Sequence, residues 1–362
     1  MSTHQLSQRE ARRIIVRAAL LDAQRAGDVV EVAEQIGTVK IDPTSVIAPC
    51  EDTVLWSRIG WPYEPGQLVK AVEIDRLLFE YDGAFRPSSL LPLMLPAMRE
   101  DALHPRDEAW LTANERFRRE VLARLAADGP LTAAEIPDTA ETIRPPDGWT
   151  GTGQVPTMLA LLARKAEVAV TGRSGRQRRW DLAERVFPSD LPALPRVEAD
   201  RQRAVRALQS HGLARAHAHW SGVASDTGEA AVVEGSRMRF RVDPDALEAL
   251  GSDPFEGRAA FLNPYDPLLF DRRRLEEVFG LVYVLEQFKP KGQRRYGAFA
   301  QPILCGDRFI GMLDAALDRE RDELRVNALH DLAPWSAAEA EAVRAELDSL
   351  ARWLGAELTG VP

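Results

Sequence analysis

An α+β fold, built as tandem winged helix-turn-helix units followed by a strand-rich C-terminal domain, is predicted from three observations. Residues 114–182 read as helix, helix, helix and hairpin in that order. The hairpin at 167–182 is rich in arginine. From about residue 258 the chain turns to short apolar runs of strand character, closed by a long alanine- and glutamate-rich helix.

The first unit is assigned to residues 1–110. Its opening helix spans 6–26, with Ser7 as N-cap, Glu10 completing a capping box, Ile14, Ala18 and Leu21 on one face, and Gly27 as the stop. A short helix, VVEVAEQIG, leads into TVKIDPTSVI at 38–47. Here Val39 and Ile41 alternate with Lys40 and Asp42, so a strand puts the two charged side chains on one face until Pro43 ends the pairing. A further helix is expected at 66–80.

The second unit covers 111–188: a helix at 114–129, a second short helix begun by LTAAEI with a threonine cap, a third at 154–167, and a hairpin at 167–182 turning on Ser-Gly. The third helix is the natural groove reader and the hairpin its wing. Gly151 and Gly153 leave that helix's first amides open to a phosphate. The alternative is a helix-turn-helix used only for protein contacts. A proline-rich linker at 188–196 precedes a third, shortened unit at 197–257, where little chain lies between Trp220 and Glu229 for a recognition helix. The C-terminal domain takes 258–362, with strands expected in GLVYVLEQF, RYGAFAQPIL, RFIGMLDAAL and ELRVNAL and a helix at 336–354.

With 45% hydrophobic and 28% charged residues over 362 positions, the composition is that of a folded multidomain protein. No apolar run reaches membrane-spanning length, and LLPLMLP at 90–96 is broken by proline. The polar N-terminus has no export core, and two distant cysteines, Cys50 and Cys305, exclude a disulfide framework or a cysteine-ligated zinc. A cytoplasmic, nucleoid-associated monomer is expected. The net charge of −9 concerns solubility, whereas phosphate affinity depends on clustering. Residues 164–185 hold seven basic side chains, among them Arg173, Arg176, Arg178 and Arg179, against three acids. A second patch at 289–296 holds Lys289, Lys291, Arg294 and Arg295 and no acid. Two such patches on expected hairpins imply a double-stranded DNA partner; a merely solvated face is the competing reading.

Trp56, Trp61 and Tyr63 are candidates to stack on a displaced base, with core packing as the competing role. Tyr296 either stacks or is buried. His217 and His219 put two imidazoles on one strand face without a third ligand, so no metal is expected. No phosphate loop, dinucleotide motif or Ser/His/Asp arrangement occurs, and no cofactor is expected.

The segments LSQREARRI, IGTVKIDPTSVIAP, VLWSRIG, LLFEY, WDLAERVFP, NPYDPLLFDRRRLEEVFG and RRYGAFAQPIL together resemble the winged helix-turn-helix DNA glycosylase superfamily that includes AlkZ and YcaQ. The resemblance spans nearly the whole chain. It implies excision of alkylated bases, often bulky or cross-linked adducts, in some members as self-resistance to genotoxic products. It also implies a catalytic Gln-X-Gln or Gln-X-Asp motif, matched here by Lys40, Ile41 and Asp42. Asp42 fits the Gln-X-Asp branch, and Lys40 stands where that motif has glutamine. Histidines that relatives often carry shortly afterwards are replaced by Ala48, Pro49, Cys50, Glu51 and Asp52.

Cleavage of an N-glycosidic bond builds an oxocarbenium-like charge on the sugar, which a carboxylate stabilises while accepting a proton from water. A base already cationic from alkylation leaves with little acid assistance, so one carboxylate suffices, and Asp42 is the candidate. The competing role for Asp42 is to cap the turn at Pro43. Three roles are open to Lys40: an ion pair with Asp42, a hydrogen bond to the attacking water, or amine attack on the sugar to give a Schiff base. The competing functions are a non-catalytic DNA-binding regulator or damage sensor, and a protein-interaction scaffold.

Overall fold

The computed structural model describes residues 3–143, 153–175, 177–216, 218, 221–252 and 254–361. Chain contacts divide it into two compact units, Met1–Gln67 with Ala204–Pro362, and Leu68–Arg203. The segment expected as one unit over 1–110 is therefore shared between them, and the third and C-terminal segments join the N-terminus in one unit.

Strand β1 (His4–Leu6) leads into α1 (Gln8–Ala18). The Ser7–Glu10 capping box forms, with the Ser7 hydroxyl accepting the Glu10 N–H and the Glu10 carboxylate accepting the Ser7 N–H. The helix stops at Ala18 rather than near Gly27. Asp22 bridges to Gly257, and the Arg258 guanidinium donates to the carbonyls of Leu20 and Asp22 at 3.2 and 2.7 Å. These tertiary bonds outcompete another helical turn. Helix α2 (Val29–Ile36) is capped by Asp28 and closed by Gly37 at φ +70°. The strand expected over 38–47 shrinks to β2 (Val39–Lys40), because Asp42 turns the chain. Helix α3 (Cys50–Ile59) follows, buried on nearly every face.

The next unit opens with α4 (Pro65–Val69), which begins on the last residues of the first unit and runs on as a π turn over Lys70–Ile74. Arg76 reverses the chain at φ +56°, so the expected helix at 66–80 gives way to the hairpin β3 (Leu78–Tyr81) and β4 (Ala84–Pro87). Phe79 of β3 packs with Leu91, Leu95 and Met98 of α5 (Leu91–Glu100). Then come α6 (Pro105–Ala113), α7 (Glu115–Asp128), β5 (Leu131–Thr132), α8 (Gln154–Arg164), β6 (Val168–Ser174) and β7 (Gln177–Leu182), with β7 central in the sheet β5-β7-β6. The short helix expected after residue 130 is replaced by β5 and a single 3-10 turn. Its Thr132–Glu135 capping box is present all the same. Phe117, Val121 and Leu125 of α7 recur at helical spacing and meet Met158, Leu159 and Leu162 of α8, Val168 and Val170 of β6, and Trp180 of β7. Each such burial contributes about 1.5–3 kcal/mol. Helix α9 (Ala183–Val186) and α10 (Arg196–His211) lead back to the first unit.

That unit is completed by β8 (Leu213–Arg215), β9 (Glu229–Val233) and β10 (Arg239–Val242), which with β1 make a four-stranded sheet ordered β1-β9-β10-β8. The parallel pairing of β1 with β9 draws the N-terminus into this sheet. After α11 (Pro244–Ser252) and β11 (Ala259–Phe261) come α12 (Arg272–Arg274), β12 (Gln301–Cys305), β13 (Arg308–Asp318), β14 (Glu323–Asp331), α13 (Ala337–Leu354) and β15 (Glu357–Thr359). A five-stranded sheet forms in the order β11-β12-β13-β14-β15. The strand expected at 280–288 does not form. Its alternation survives, with Leu281 and Tyr283 buried and Val282 69% exposed, but no neighbouring strand supplies a ladder. No helix is long and apolar enough to cross a membrane, among the described residues.

Candidate active site

Asp42 lies where β2 ends. Its Oδ1 accepts the Thr44 N–H at 2.9 Å, an Asx turn around Pro43, which cannot donate. The turn-capping role expected for this residue is therefore real, and it occupies one oxygen of a half-buried carboxylate. The loop beyond is pinned by the C-terminal sheet: Leu317 N–H donates to the Val46 carbonyl at 3.0 Å, and Arg319 to Ser45 Oγ at 2.9 Å.

Three further side chains face this turn. The Tyr265 hydroxyl interacts with the Asp42 carboxylate and accepts from Gln287 Nε2 at 3.0 Å. Burial first, then the Asp42 charge and hydrogen bond, push the Tyr265 pKa up against the bond from Gln287. Cys50, at the start of α3, feels both Lys40 and Asp42. Burial and the carboxylates of Glu51, Asp266 and Asp42 push its thiol up, so it is an inert neighbour rather than a nucleophile. Lys40 is half-buried and forms no ion pair with Asp42 among the described residues. The ion-pair role is corrected: the strand stops at Lys40, so the period that would align the two side chains is lost.

The turn opposite is built by NPYD at 263–266. Asn263 Oδ1 accepts the Tyr265 N–H at 2.9 Å while its Nδ2 donates to Thr53 Oγ1 of α3 at 2.8 Å. Asp266 receives Arg58 of α3 in an ion pair whose two side chains are both 0% exposed. Sequence reading quoted both segments but missed these roles. The usable signal was a set of hydrogen-bonding side chains, Asn263, Tyr265 and Asp266, packed into one four-residue stretch.

Trp56 and Tyr63 do not serve as base-stacking surfaces. Each is 1% exposed; Trp56 stacks on Trp353, the Tyr63 ring lies tilted against it, and Trp353 Nε1 donates to the Tyr63 carbonyl at 2.8 Å. The Tyr63 hydroxyl donates to Asp52 at 2.6 Å, and burial pushes the Asp52 carboxyl up. Trp61, by contrast, is 66% exposed.

The two basic patches are less free than their composition suggests. On the β6–β7 hairpin, Arg173 and Arg178 both clamp Glu80, whose side chain is 3% exposed, while Glu73 accepts the Arg173 N–H at 3.0 Å. Gly172 allows this approach, since a Cβ there would meet the Glu73 carboxylate at 2.6–2.7 Å. Arg179 remains exposed and donates to the Pro130 carbonyl at 3.1 Å, and Arg176 lies outside the described residues. Gly151, His217 and His219 also lie outside them.

The segment 289–296 is a loop with one 3-10 turn, not a hairpin. Glu286 organises it, accepting from Lys289 Nζ at 2.8 Å and from the backbone N–H groups of Arg295 and Tyr296. Burial opposes its charge, but those donors outweigh it and hold the carboxyl at about 2. Lys291 and Arg295 stay exposed, and Arg294 donates to the Lys289 carbonyl. Tyr296 is half-buried, edge-on to His330 and covered by the Arg295 guanidinium at 4.8 Å.

Among the described residues no group of three His, Cys, Asp or Glu side chains is placed to hold a metal. A cleft of 940 Å³ in the unit Leu68–Arg203 is lined by Leu95, Leu122, Phe187 and Leu191 and carries none of the motif residues.

A family model described as DNA glycosylase AlkZ-like matches residues 33–353. Among solved structures, the Streptomyces sahachiroi DNA glycosylase AlkZ is similar, with a TM-score of 0.65, 19% sequence identity, and coverage of 99% of this chain and 100% of that one. At that identity the likeness speaks for the fold.

Proposed function

The chain belongs to the AlkZ-like DNA glycosylase family, and from that premise we propose that it hydrolyses the N-glycosidic bond of alkylated purines in duplex DNA, bulky adducts included. The observation that carries the reading is Asp42: a half-buried carboxylate at the position of the family's Gln-X-Asp acid, fixed through one oxygen by the Thr44 N–H.

Alkylation at a ring nitrogen makes the base a cation, so the C1′–N bond breaks with its electron pair neutralising the leaving base. The sugar is left oxocarbenium-like, and Asp42 stabilises that charge. Water then forms the new C1′–O bond and gives its proton to Asp42. Lys40, free of an ion pair with Asp42, hydrogen-bonds the water in the place of the motif's glutamine. A cation beside an oxocarbenium is unfavourable, so the ammonium acts through the water and not on the sugar.

The parent protein should release free base from duplexes carrying methylated or bulky purines and leave the abasic strand intact. Borohydride should trap no covalent complex; a trapped complex lost in Lys40→Gln would replace hydrolysis by Schiff-base chemistry. Binding without release on every duplex would instead support the non-catalytic DNA-binding protein, a reading favoured by the lysine at position 40.

The helix-turn-hairpin order of α7, α8, β6 and β7 supports a winged-helix reading of this segment, with phosphate contacts supplying most of the affinity. Because Arg173 and Arg178 are engaged with Glu80, the exposed Arg179 is the better phosphate contact among the described wing residues. Arg179→Ala should lower the slope of log affinity against log salt by about 1 with little change in melting temperature. Arg173→Ala should instead lower the melting temperature, because it removes a partner from a buried carboxylate. An unchanged salt slope in both variants counts against a wing that tracks the backbone.

A further inference from the structure

We infer that the cleft of 940 Å³ in the unit Leu68–Arg203 binds a small, largely apolar organic molecule carrying one acidic group, and that Arg99 meets that group. The cleft holds none of the motif residues, so the inference stands apart from the reading of Asp42.

The case begins with α7. Its core face is Phe117, Val121 and Leu125, all buried. Around the rest of the helix, solvent-facing positions are largely charged, as at Arg116, Arg119, Arg124 and Asp128. Leu122, Ala123 and Ala126 break that pattern. They form a second apolar stripe at helical spacing, both alanines are exposed, and all three line the cleft. Alanine at these positions leaves open the space that longer side chains would fill.

The facing walls come from α5 and from the irregular chain that follows α9 over 188–195. Phe187 and Leu191 seat that chain on the core of the hairpin and α5, with the Phe187 ring edge-on to Phe79 at 5.8 Å between centroids. Pro92, Pro96, Pro188 and Pro192 stand in these walls, and their fixed φ keeps the cleft preformed. Its volume of 940 Å³ lies within the range of about 300–1,000 Å³ usual for small-molecule clefts.

The charges on the rim select the ligand. Of the carboxylates there, Glu167 is taken by Arg118, and Glu100 lies 3.8 Å from Arg196. Arg99 sits in the last turn of α5, where a cation commonly serves the helix carbonyls. Lys165 has that task instead, its Nζ donating to the Arg99 and Asp101 carbonyls at 3.1 and 2.9 Å. The Arg99 guanidinium is exposed and has no carboxylate partner among the described residues. It is therefore available to an acidic group that the ligand brings, which it can grip through two N–H donors. Glu184 also carries no ion pair among the described residues, and its charge disfavours a second acidic group. A monoanion with an apolar body is the chemistry this lining fits.

The test uses the full chain and two fluorescent probes, the monoanion anilinonaphthalene sulfonate and the uncharged phenylnaphthylamine, with melting temperature and oligomeric state followed in parallel. The sulfonate should bind at a single saturable site. Arg99→Ala should weaken the sulfonate about fivefold and leave the uncharged probe within about twofold. Ala126→Trp fills the cleft from an exposed position and should abolish binding of both probes while the protein melts as the parent does. Leu122→Glu, which puts a charge in the apolar wall, should give the same loss. Parent-like melting in these variants separates cleft binding from adsorption to a loosened core.

No saturable binding by the parent overturns the inference, as does parent affinity for both probes in Ala126→Trp and Leu122→Glu. Parent affinity for the sulfonate in Arg99→Ala overturns the acidic ligand and the role of Arg99. A parent dimer that dissociates in Ala126→Trp would mean that a second copy of the chain covers the cleft, which replaces the small-molecule reading.

Discussion

Asp42→Asn should release free base from alkylated duplex about 10²–10⁴-fold more slowly than the parent, while binding the same duplex with unchanged affinity and salt dependence. The substitution is nearly isosteric. The asparagine carbonyl can still accept the Thr44 N–H, so the Asx turn around Pro43 survives. What disappears is the negative charge opposite the developing oxocarbenium and the base that receives the proton of water. Both matter only as the bond breaks, so the loss should fall on the chemical step and leave the dissociation constant alone. On the proposed reading the affinity would come from exposed cations such as Arg179, Lys291 and Arg295, none of which touches Asp42 among the described residues. Release at the parent rate would remove Asp42 from the mechanism. Lost release together with lost binding would make it a structural turn residue instead.

The local signals of this fold were legible where they are written in neighbouring residues. The capping boxes at Ser7–Glu10 and Thr132–Glu135 and the hairpin of β6 and β7 all depend on groups within a few positions of one another. The longer-range pairings were not. β1 joins β9 across more than two hundred residues, and α1 ends at Ala18 because Gly257 and Arg258 claim its continuation. Helix α3 was missed for a different reason. It is buried on almost all sides, so its sequence carries polar residues such as Asp52, Ser57 and Arg58 without a clean apolar stripe. The bounding Pro49 and Gly60 were its only sequence marks. The site divided in the same way. Lys40 and Asp42 came from a resemblance to a short motif, whereas the bonds of the turn at 263–266 to Thr53 and Arg58 of α3 and to Gln287 exist only in the folded chain. The charge of the β6–β7 hairpin was visible, but its partial neutralisation by Glu80 needed the position of a hairpin nearly a hundred residues away in sequence.

Breaking the Arg58–Asp266 pair should be the most damaging single change to the unit that holds the site. Both side chains are fully buried, and the guanidinium also donates to the Ala19 carbonyl at 3.1 Å and to Ser57 Oγ at 2.8 Å. Taking two charges out of water is costly, so the pair's net contribution against well-packed apolar residues is small. Removing one partner is another matter, because the other charge is left buried and unpaired. Arg58→Met should therefore cost about 3–5 kcal/mol, which at about 2–4 °C per kcal/mol lowers the melting midpoint by about 6–20 °C. Arg58→Met combined with Asp266→Leu should recover part of that loss. Recovery will be incomplete, since Asp266 also caps the turn by accepting the Leu268 N–H at 3.0 Å. Thermal melts of the two single variants and the double variant measure the coupling directly. A double variant as unstable as the sum of the singles would mean that α3 and the 263–266 turn are held together by packing and not by the ion pair.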